Sequence, residues 1–124
     1  MQLKIIAGND IITGELEDNP ITRQLLEMGP LELKMEDYAG SEKIAYPPEK
    51  LKTGGAKHGL DPKKGDLALF GPWGNLVVFY RKGHASDGLY YLGKITSGLE
   101  KLETHAKGFE AIWEISLHPA NPDQ

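Results

Sequence analysis

The chain has 124 residues, enough for one domain, and at this length a hydrophobic core forms without disulfides or metals. Hydrophobic residues make up 40% of the sequence and charged residues 26%, close to the averages of globular proteins, which argues against a disordered chain. A net charge of −4 argues against a general nucleic-acid-binding protein. The absence of cysteine excludes disulfides, thiolate nucleophiles and thiolate metal sites.

No segment of the sequence is typical of secretion or of a membrane-spanning helix. The first six residues lack the long apolar core of a signal peptide, and the polar residues Asn9 and Asp10 follow soon after. No apolar run approaches the ~20 residues that a helix needs to cross a bilayer. We therefore expect a cytoplasmic protein with no membrane partner, with one domain over residues 1–118 and a flexible tail over residues 119–124.

The chain begins with a predicted hairpin and a short helix. Residues 3–7 and 11–16 are the two strands of the hairpin, joined by turn residues. The helix follows at Asn19, a favourable N-cap, with Pro20 at the first helical position and Gly29 at the end. A helix of this length is not stable alone, so its apolar side must cover a core.

The next segment has the clearest strand pattern in the sequence. Apolar and charged residues alternate over residues 31–36, which predicts a strand with one face in solvent. A partner strand is predicted over residues 42–46, and a long polar loop over residues 49–65 follows it. Loops of this length in a small domain are often functional and are also tolerated as insertions.

The second half of the chain contains the remaining strands and a second helix. Residues 76–80 are apolar on both faces, which predicts a central strand covered on each side. Gly93 indicates a bulge or a close backbone approach, and Ser97 with Glu100 forms a capping-box pattern. The predicted elements are strands over residues 66–70, 76–80, 89–95 and 109–117 and a helix over residues 99–105.

Seven or eight strands and two short helices predict a mainly β fold. A closed barrel with a helix over each open end leaves no strand edge unpaired, and an open α+β sandwich is the alternative. The apolar residues expected to share the barrel core are Leu31, Leu33, Met35, Phe109, Ala111, Trp113 and Ile115. We expect Trp113 to be buried among them.

Three patterns of residues with catalytic or metal-binding chemistry are weak. Residues 88–94 resemble a phosphate-binding loop, but Ile95 stands where a hydroxyl must reach the metal. His84, Ser86 and Asp87 lie too close along one loop to form a catalytic triad. The four histidines, His58, His84, His105 and His118, lack the spacing of metal ligands, although the fold could join them with Glu42, Asp61 or Asp87. We predict no catalytic residue, no metal and no cofactor.

Aromatic residues are the better candidates for a binding site. Trp73 lies in a Gly/Pro turn, where a large ring either packs back onto the core or meets a partner. The candidate ligand-binding residues fall into two predicted clusters, Tyr38, Tyr46 and Trp73 near one rim and Arg81, His84 and Tyr90 near the other, with Asn75 and Tyr80 also included. The alternative is that Trp73 covers the core and the tyrosines are ordinary sheet residues.

Several segments together resemble a known family. They are Asp37-Tyr38-Ala39-Gly40-Ser41-Glu42-Lys43, Gly65-Asp66-Leu67, Gly71-Pro72-Trp73-Gly74-Asn75-Leu76 with Phe79-Tyr80, and Leu92-Gly93-Lys94-Ile95 followed by Gly98. From about residue 3 to residue 117, the chain resembles the small prokaryotic cyclophilin-like proteins. The resemblance implies a closed eight-stranded β-barrel capped by helices, and most members of that family lack an assigned activity.

The chain departs from the true cyclophilins at the residues of their catalytic groove. Residues 74–79 fall where cyclophilins have G-S-Q-F-F-I, so that Leu76 takes the place of the groove Gln. The F-H-R and F-M-x-Q-G-G-D segments have no counterpart, and the arginines of this chain are Arg23 and Arg81. The resemblance therefore implies a cyclophilin scaffold without the cation that weakens the prolyl amide bond.

These observations predict a non-catalytic binding module that holds a peptide or a small ligand in an aromatic groove. The alternative is an enzyme, either a weak or divergent peptidyl-prolyl isomerase in which Arg81 replaces the missing arginine, or one with a different chemistry. Scaffold similarity does not decide between these functions. The sequence does not indicate an oligomeric state.

Overall fold

The computed structural model describes residues 1–105 and 107–117, so His118 and the tail predicted over residues 119–124 lie outside the described residues. The strands are β1 (Gln2–Ala7), β2 (Asp10–Leu16), β3 (Leu31–Tyr38), β4 (Glu42–Ala45), β5 (Asp66–Phe70), β6 (Asn75–Phe79), β7 (Leu89–Ser97) and β8 (Gly108–Ser116). The helices are α1 (Pro20–Glu27) and α2 (Leu99–Thr104). Neither helix is long and apolar enough to cross a membrane, within the residues described.

The eight strands form a closed antiparallel barrel in the order β1-β2-β7-β5-β6-β4-β3-β8, and β8 pairs with β1 to close it. The predicted mainly β barrel with two short helices is confirmed, and the open sandwich is wrong. Helix α1 joins the end of β2 to β3, whereas α2 joins the end of β7, which is antiparallel to β2, to β8. The two helices therefore lie at opposite ends of the barrel.

Helix α1 begins as the sequence predicts. The Asn19 side-chain oxygen accepts hydrogen bonds from the backbone N–H groups of Ile21 and Thr22, both at 2.9 Å. The Thr22 hydroxyl in turn accepts from the Asn19 N–H at 2.9 Å, so each residue caps the other. Ile21 and Leu25 then insert into the core of the barrel.

The capping box predicted for α2 is wrong. Ser97 is the last residue of β7, where its pairing with Thr13 holds it in extended backbone. The chain therefore turns at Gly98, which has a left-handed φ of 87°, and no side-chain hydrogen bond caps the helix. A Cβ at Gly98 would lie 3.0 Å from the carbonyl oxygen of Ile11, so the glycine also allows a close approach to β2.

The barrel interior is filled by one apolar core. Trp113 is 0% exposed and pairs with Ile5 of β1 and Leu31 of β3, which places it between three strands. The predicted core residues on β3 and β8 are buried there, with Phe109 and Ile115 partly buried at its edge. No hydrogen-bond partner for the indole N–H of Trp113 is present among the described residues, so its contribution comes from packing.

At Gly93, the backbone of β7 lies closer to β2 than a residue with a side chain would allow. A Cβ at Gly93 would lie 2.0 Å from the carbonyl oxygen of Glu15, so that only glycine fits this position. On its other side, β7 is bulged: Leu67 pairs with Gly93, whereas Ala68 pairs with Tyr91. Both structural roles considered for Gly93 are therefore found.

Strand β6 is buried on both faces, as the sequence predicts. Leu76 and Val78 face the interior core, whereas Val77 and Phe79 belong to a second apolar cluster on the outer wall. The loops over residues 46–65 and 80–88 cover part of this wall, joined to each other by the Leu60–Ser86 bridge. The barrel therefore has an apolar outer surface only partly protected by loops.

Replacing Trp113 by Ala should lower the free energy of unfolding by about 3–5 kcal/mol, because it leaves a large cavity in the core. Urea unfolding of both proteins measures the difference. The matched control is Trp73→Ala, which removes a 53% exposed indole and should cost about 1 kcal/mol or less. Equal losses for the two variants would contradict the assignment of Trp113 to the core.

Candidate functional site

A cavity of about 350 Å³, which we call the outer groove, lies on the outer wall of the barrel beside β4 and β6. The pairing register explains its floor: Ile44 pairs with Val77, and Glu42 pairs with Phe79. Directly paired residues point to the same face of a sheet, so these side chains all face outward. The groove is therefore built on the second apolar cluster and has one carboxylate in its row of paired side chains.

Aromatic rings form the wall of the outer groove. Trp73 lies on the turn between β5 and β6, which is closed by a hydrogen bond of 2.8 Å from the Gly74 N–H to the Phe70 carbonyl. Its ring meets Tyr38 edge to face at 5.6 Å and 87°, and Phe70 at 5.5 Å and 85°. Trp73 is 53% exposed and lies on the outer wall, so the alternative that it covers the barrel core is wrong.

The first predicted cluster is found in part. Tyr38 and Trp73 are in contact, but Tyr46 lies on the other side of Trp73, in a shallow depression of about 280 Å³ that Pro72 also lines. Trp73 is therefore a ridge between the outer groove and this depression. A ligand that covers both sides of the ridge must be longer than the outer groove itself.

The second predicted cluster is wrong. Arg81 donates to Glu103 of α2 at 2.9 Å, whereas His84 lines the outer groove. Tyr90 packs against the interior core, with the ring of His58 at 5.8 Å. The cause is the path of the loop over residues 80–88, which starts beside α2 and then returns across the outer wall.

Leu76 does not occupy the groove position that the resemblance implied. It faces the barrel interior, and its neighbour Asn75 lines the outer groove. Because neighbouring residues of a strand point to opposite faces, a shift of one residue exchanges the two positions. The outer groove therefore contains the side-chain amide of Asn75.

The side chain of Asn75 has an unused hydrogen-bond acceptor. Asn75 is 2% exposed, and its Nδ2 donates to the carbonyl of Leu76 at 3.3 Å. Its Oδ1 is buried and has no hydrogen-bond partner within the residues described. A buried carbonyl without a donor lowers stability by about 1–3 kcal/mol, which a ligand N–H would offset.

Glu42 is the groove residue that the sequence indicated only as a metal ligand. Its Oε2 accepts a hydrogen bond of 3.5 Å from the Ser41 hydroxyl, and no ion pair with it is present in the described part of the chain. Burial raises the pKa of Glu42, and the charge of Asp37 raises it further. Its position beside Tyr38 in the short hairpin was the signal in the sequence that could have identified it.

Behind the groove, the ionisable residues partner one another. Lys43 follows Glu42 and faces inward, where it is 2% exposed and its Nζ lies 3.2 Å from Asp37 Oδ1. The Tyr80 hydroxyl donates to the same oxygen at 2.5 Å. This hydrogen bond lowers the pKa of Asp37. Burial raises the pKa of Tyr80 to about 12. Tyr80 was predicted to bind ligand, but its hydroxyl stabilises the end of the barrel instead.

The remaining candidates for chemistry are dispersed. No group of three His, Asp or Glu side chains in the described ranges is arranged to hold a metal. His105 lies 3.1 Å from Asp10, and His58 contacts the Asp87 carbonyl at 3.0 Å. A larger depression of about 720 Å³ beside α1 has lysine and glutamate side chains and no aromatic ring among its lining residues. The outer groove is therefore the best candidate site.

The comparisons with known proteins agree with this fold. Residues 5–114 match the family described as the cyclophilin-like family. The chain belongs to the cyclophilin-like family. This member is similar to a hypothetical protein of Archaeoglobus fulgidus solved in solution, with a TM-score of 0.75, 17% identity, and coverage of 92% of this chain and 93% of that chain. At this identity the likeness shows the fold alone, and no curated protein matches the sequence.

Replacing Glu42 by Gln should raise the free energy of unfolding at pH 7. Burial raises the folded-state pKa of Glu42 above its ordinary value of 4.5. In the pH window between the unfolded-state pKa and the folded-state pKa, the folded protein therefore binds more protons than the unfolded chain. Stability is therefore lost as the pH rises through the window, and the neutral amide removes this loss. The gain should vanish below about pH 4, where Glu42 is protonated in both states.

Urea unfolding of wild type and Glu42→Gln at pH 4 and pH 7 measures this gain. Glu32→Gln is the control, because Glu32 is an exposed residue of β3 and its replacement changes the net charge equally. A gain in stability that is the same at both pH values would contradict the predicted sign for Glu42.

Proposed function

We propose that this member of the cyclophilin-like family is a non-catalytic binding module that holds an extended peptide in the outer groove. The observation that carries the proposal is the exposed Trp73 ring, set edge to face against Tyr38 and Phe70 above an apolar floor. An exposed indole in such a position contributes nothing to the barrel core and offers contact area to a partner.

The turn that carries Trp73 favours binding because it is stiff. Pro72 precedes the tryptophan, and the bond from the Gly74 N–H to the Phe70 carbonyl closes the turn at 2.8 Å. A ring held in place before binding loses little conformational entropy when a ligand covers it. The edge-to-face contacts with its two neighbours restrict the ring further.

A peptide matches the polar atoms and the shape of the site. The unused acceptor of Asn75 calls for a donor, and a peptide backbone supplies one N–H per residue beside its apolar side chains. The depressions on both sides of the Trp73 ridge suit a chain that is longer than a compact metabolite. These features support a peptide over a small molecule as the ligand.

The surroundings of Arg81 support binding over prolyl isomerisation. Its Nε and Nη2 donate to Glu103 Oε2 at 3.2 and 2.9 Å, which directs the guanidinium towards α2. Lys82, the cationic residue that does line the groove, lies 3.1 Å from Asp61. No observation on the described residues favours the isomerase alternative.

A cytoplasmic location stays a prediction.

Peptide binding should shift the fluorescence of Trp73. A library of short random peptides is screened against the full chain, and binding is measured by calorimetry and by tryptophan emission. Trp73→Phe should remove the emission change, because the remaining tryptophan, Trp113, is buried in the core and does not report on the groove. The same variant should leave thermal unfolding unaltered. Trp73→Ala should weaken binding about tenfold or more, as expected for an aromatic anchor.

Two controls separate groove binding from other contacts. Tyr46→Ala tests the depression beyond the ridge and should weaken long peptides more than short ones. Ile112→Ala removes an exposed side chain from β8 and should leave the affinity unchanged. If no peptide binds, or if binding is insensitive to Trp73→Ala, the proposed function is wrong.

Isomerisation of X-Pro bonds should not be accelerated measurably above the spontaneous rate, because a guanidinium engaged with Glu103 is not directed at a prolyl nitrogen in the groove. A chromogenic peptide assay with wild type, Arg81→Ala and Lys82→Ala measures this. Acceleration that either variant abolishes would establish the enzyme alternative.

A further inference from the structure

A carboxylate lies between two aromatic rings in the row of paired side chains above the groove floor. Tyr38 of β3 pairs directly with Glu42 of β4, and Glu42 pairs directly with Phe79 of β6. Directly opposite side chains in antiparallel strands have their Cβ atoms about 5 Å apart on the same face. Glu42 is therefore flanked by a ring on each side, and Trp73 stands perpendicular to the Tyr38 ring at 87°.

The charges around this row leave Glu42 without a positive neighbour in contact. The ammonium of the adjacent Lys43 lies on the opposite face of the sheet, 3.2 Å from Asp37. Lys82 lines the groove but forms an ion pair with Asp61 at 3.1 Å. His84, also in the groove, acts electrostatically to lower the pKa of Glu42, but this effect is smaller than the burial that raises it. No ion pair to Glu42 is found within the described ranges.

Rings and a carboxylate around one space are the chemistry that binds an organic cation. The faces of tyrosine and tryptophan attract a cation through their quadrupole, more strongly when water is excluded, and the carboxylate accepts its hydrogen bonds. Two rings at a right angle form a corner, which suits a compact ammonium better than a planar guanidinium that stacks flat on one ring.

We infer that the outer groove selects a peptide carrying a lysine side chain, whose ammonium lies beside Tyr38 and Trp73 and donates to Glu42. This inference rests on the proposed function, since it names the side chain that the bound peptide presents. The aliphatic part of the lysine lies on the apolar floor at Ile44 and Val77. The backbone N–H of the peptide is then available to Asn75.

The test compares two peptides that differ only in charge. One is a short peptide with a central lysine, and the other has norleucine, which keeps the aliphatic chain and lacks the ammonium. Calorimetry with the full chain at low salt should show the lysine peptide binding about tenfold more tightly, a difference that shrinks at high salt. Peptides with arginine and with trimethyllysine in the same position complete the set and should bind more weakly than lysine.

Glu42→Gln locates the selectivity. It should abolish the difference in affinity between the lysine and norleucine peptides, because the neutral amide carries no charge to pair with the ammonium. The control Glu32→Gln makes the same change of net charge at an exposed position of β3 and should preserve the preference for lysine. Thermal unfolding of each variant confirms that the fold is retained.

Proton release gives a second readout that a merely structural role of Glu42 would not produce. Burial raises the pKa of Glu42, and a bound ammonium would lower it again. Binding of the lysine peptide at about pH 5 should therefore release protons, measured as different heats in two buffers, and the norleucine peptide should release none.

The outcomes distinguish this inference from the proposed function. If both peptides bind equally and Glu42→Gln changes neither, the groove binds peptides and the selection of lysine is wrong. If arginine binds as well as lysine, the groove recognises cations in general and the preference for a compact ammonium is wrong. If neither peptide binds and the library also yields none, the proposed function fails and the inference fails with it.

Discussion

The pairing register of β4 is the constraint on which the rest of the molecule depends. This strand has four residues and pairs with β3 on one side and β6 on the other. Its register turns Glu42 outward to the groove and Lys43 inward to the end of the barrel. Since side chains alternate, a shift of one residue would exchange the carboxylate and the ammonium. One short strand therefore decides both the charge of the groove and the charge balance of the interior.

The two charges of β4 have opposite surroundings. The buried Lys43 ammonium has Asp37, the His105 carbonyl and the rings of Tyr80 and Phe109 around it, which compensate for its loss of water. Glu42 has a hydroxyl donor and a pKa raised by burial. Because folding gains stability by satisfying buried charges, the satisfied group fits a structural role and the poorly satisfied one fits a binding role.

Local patterns in the sequence predict most of the fold and less of the site. The alternation around Leu33, the cap at Asn19 and the requirement for paired edges are enough for the strands, the first helix and the closed barrel. The capping box predicted at Ser97 was wrong because the strand pairing of this residue overrides its capping preference. The separation of Arg81, His84 and Tyr90 could not be predicted, because it depends on the path of an irregular loop. Leu76 was misplaced because a resemblance to a family does not specify strand register to within one residue.

The filled interior explains why a binding site must lie outside the barrel. Eight strands enclose a space that is just wide enough for side chains, and here Trp113 and its neighbours occupy it. A ligand must therefore bind outside the barrel interior, and the outer wall is apolar where β6 is buried on both faces. Loops over residues 46–65 and 80–88 cover part of this wall, and the part beside Trp73 stays open. The outer groove is thus the remainder of a second core that the chain leaves incomplete, and a peptide laid across it would complete the packing.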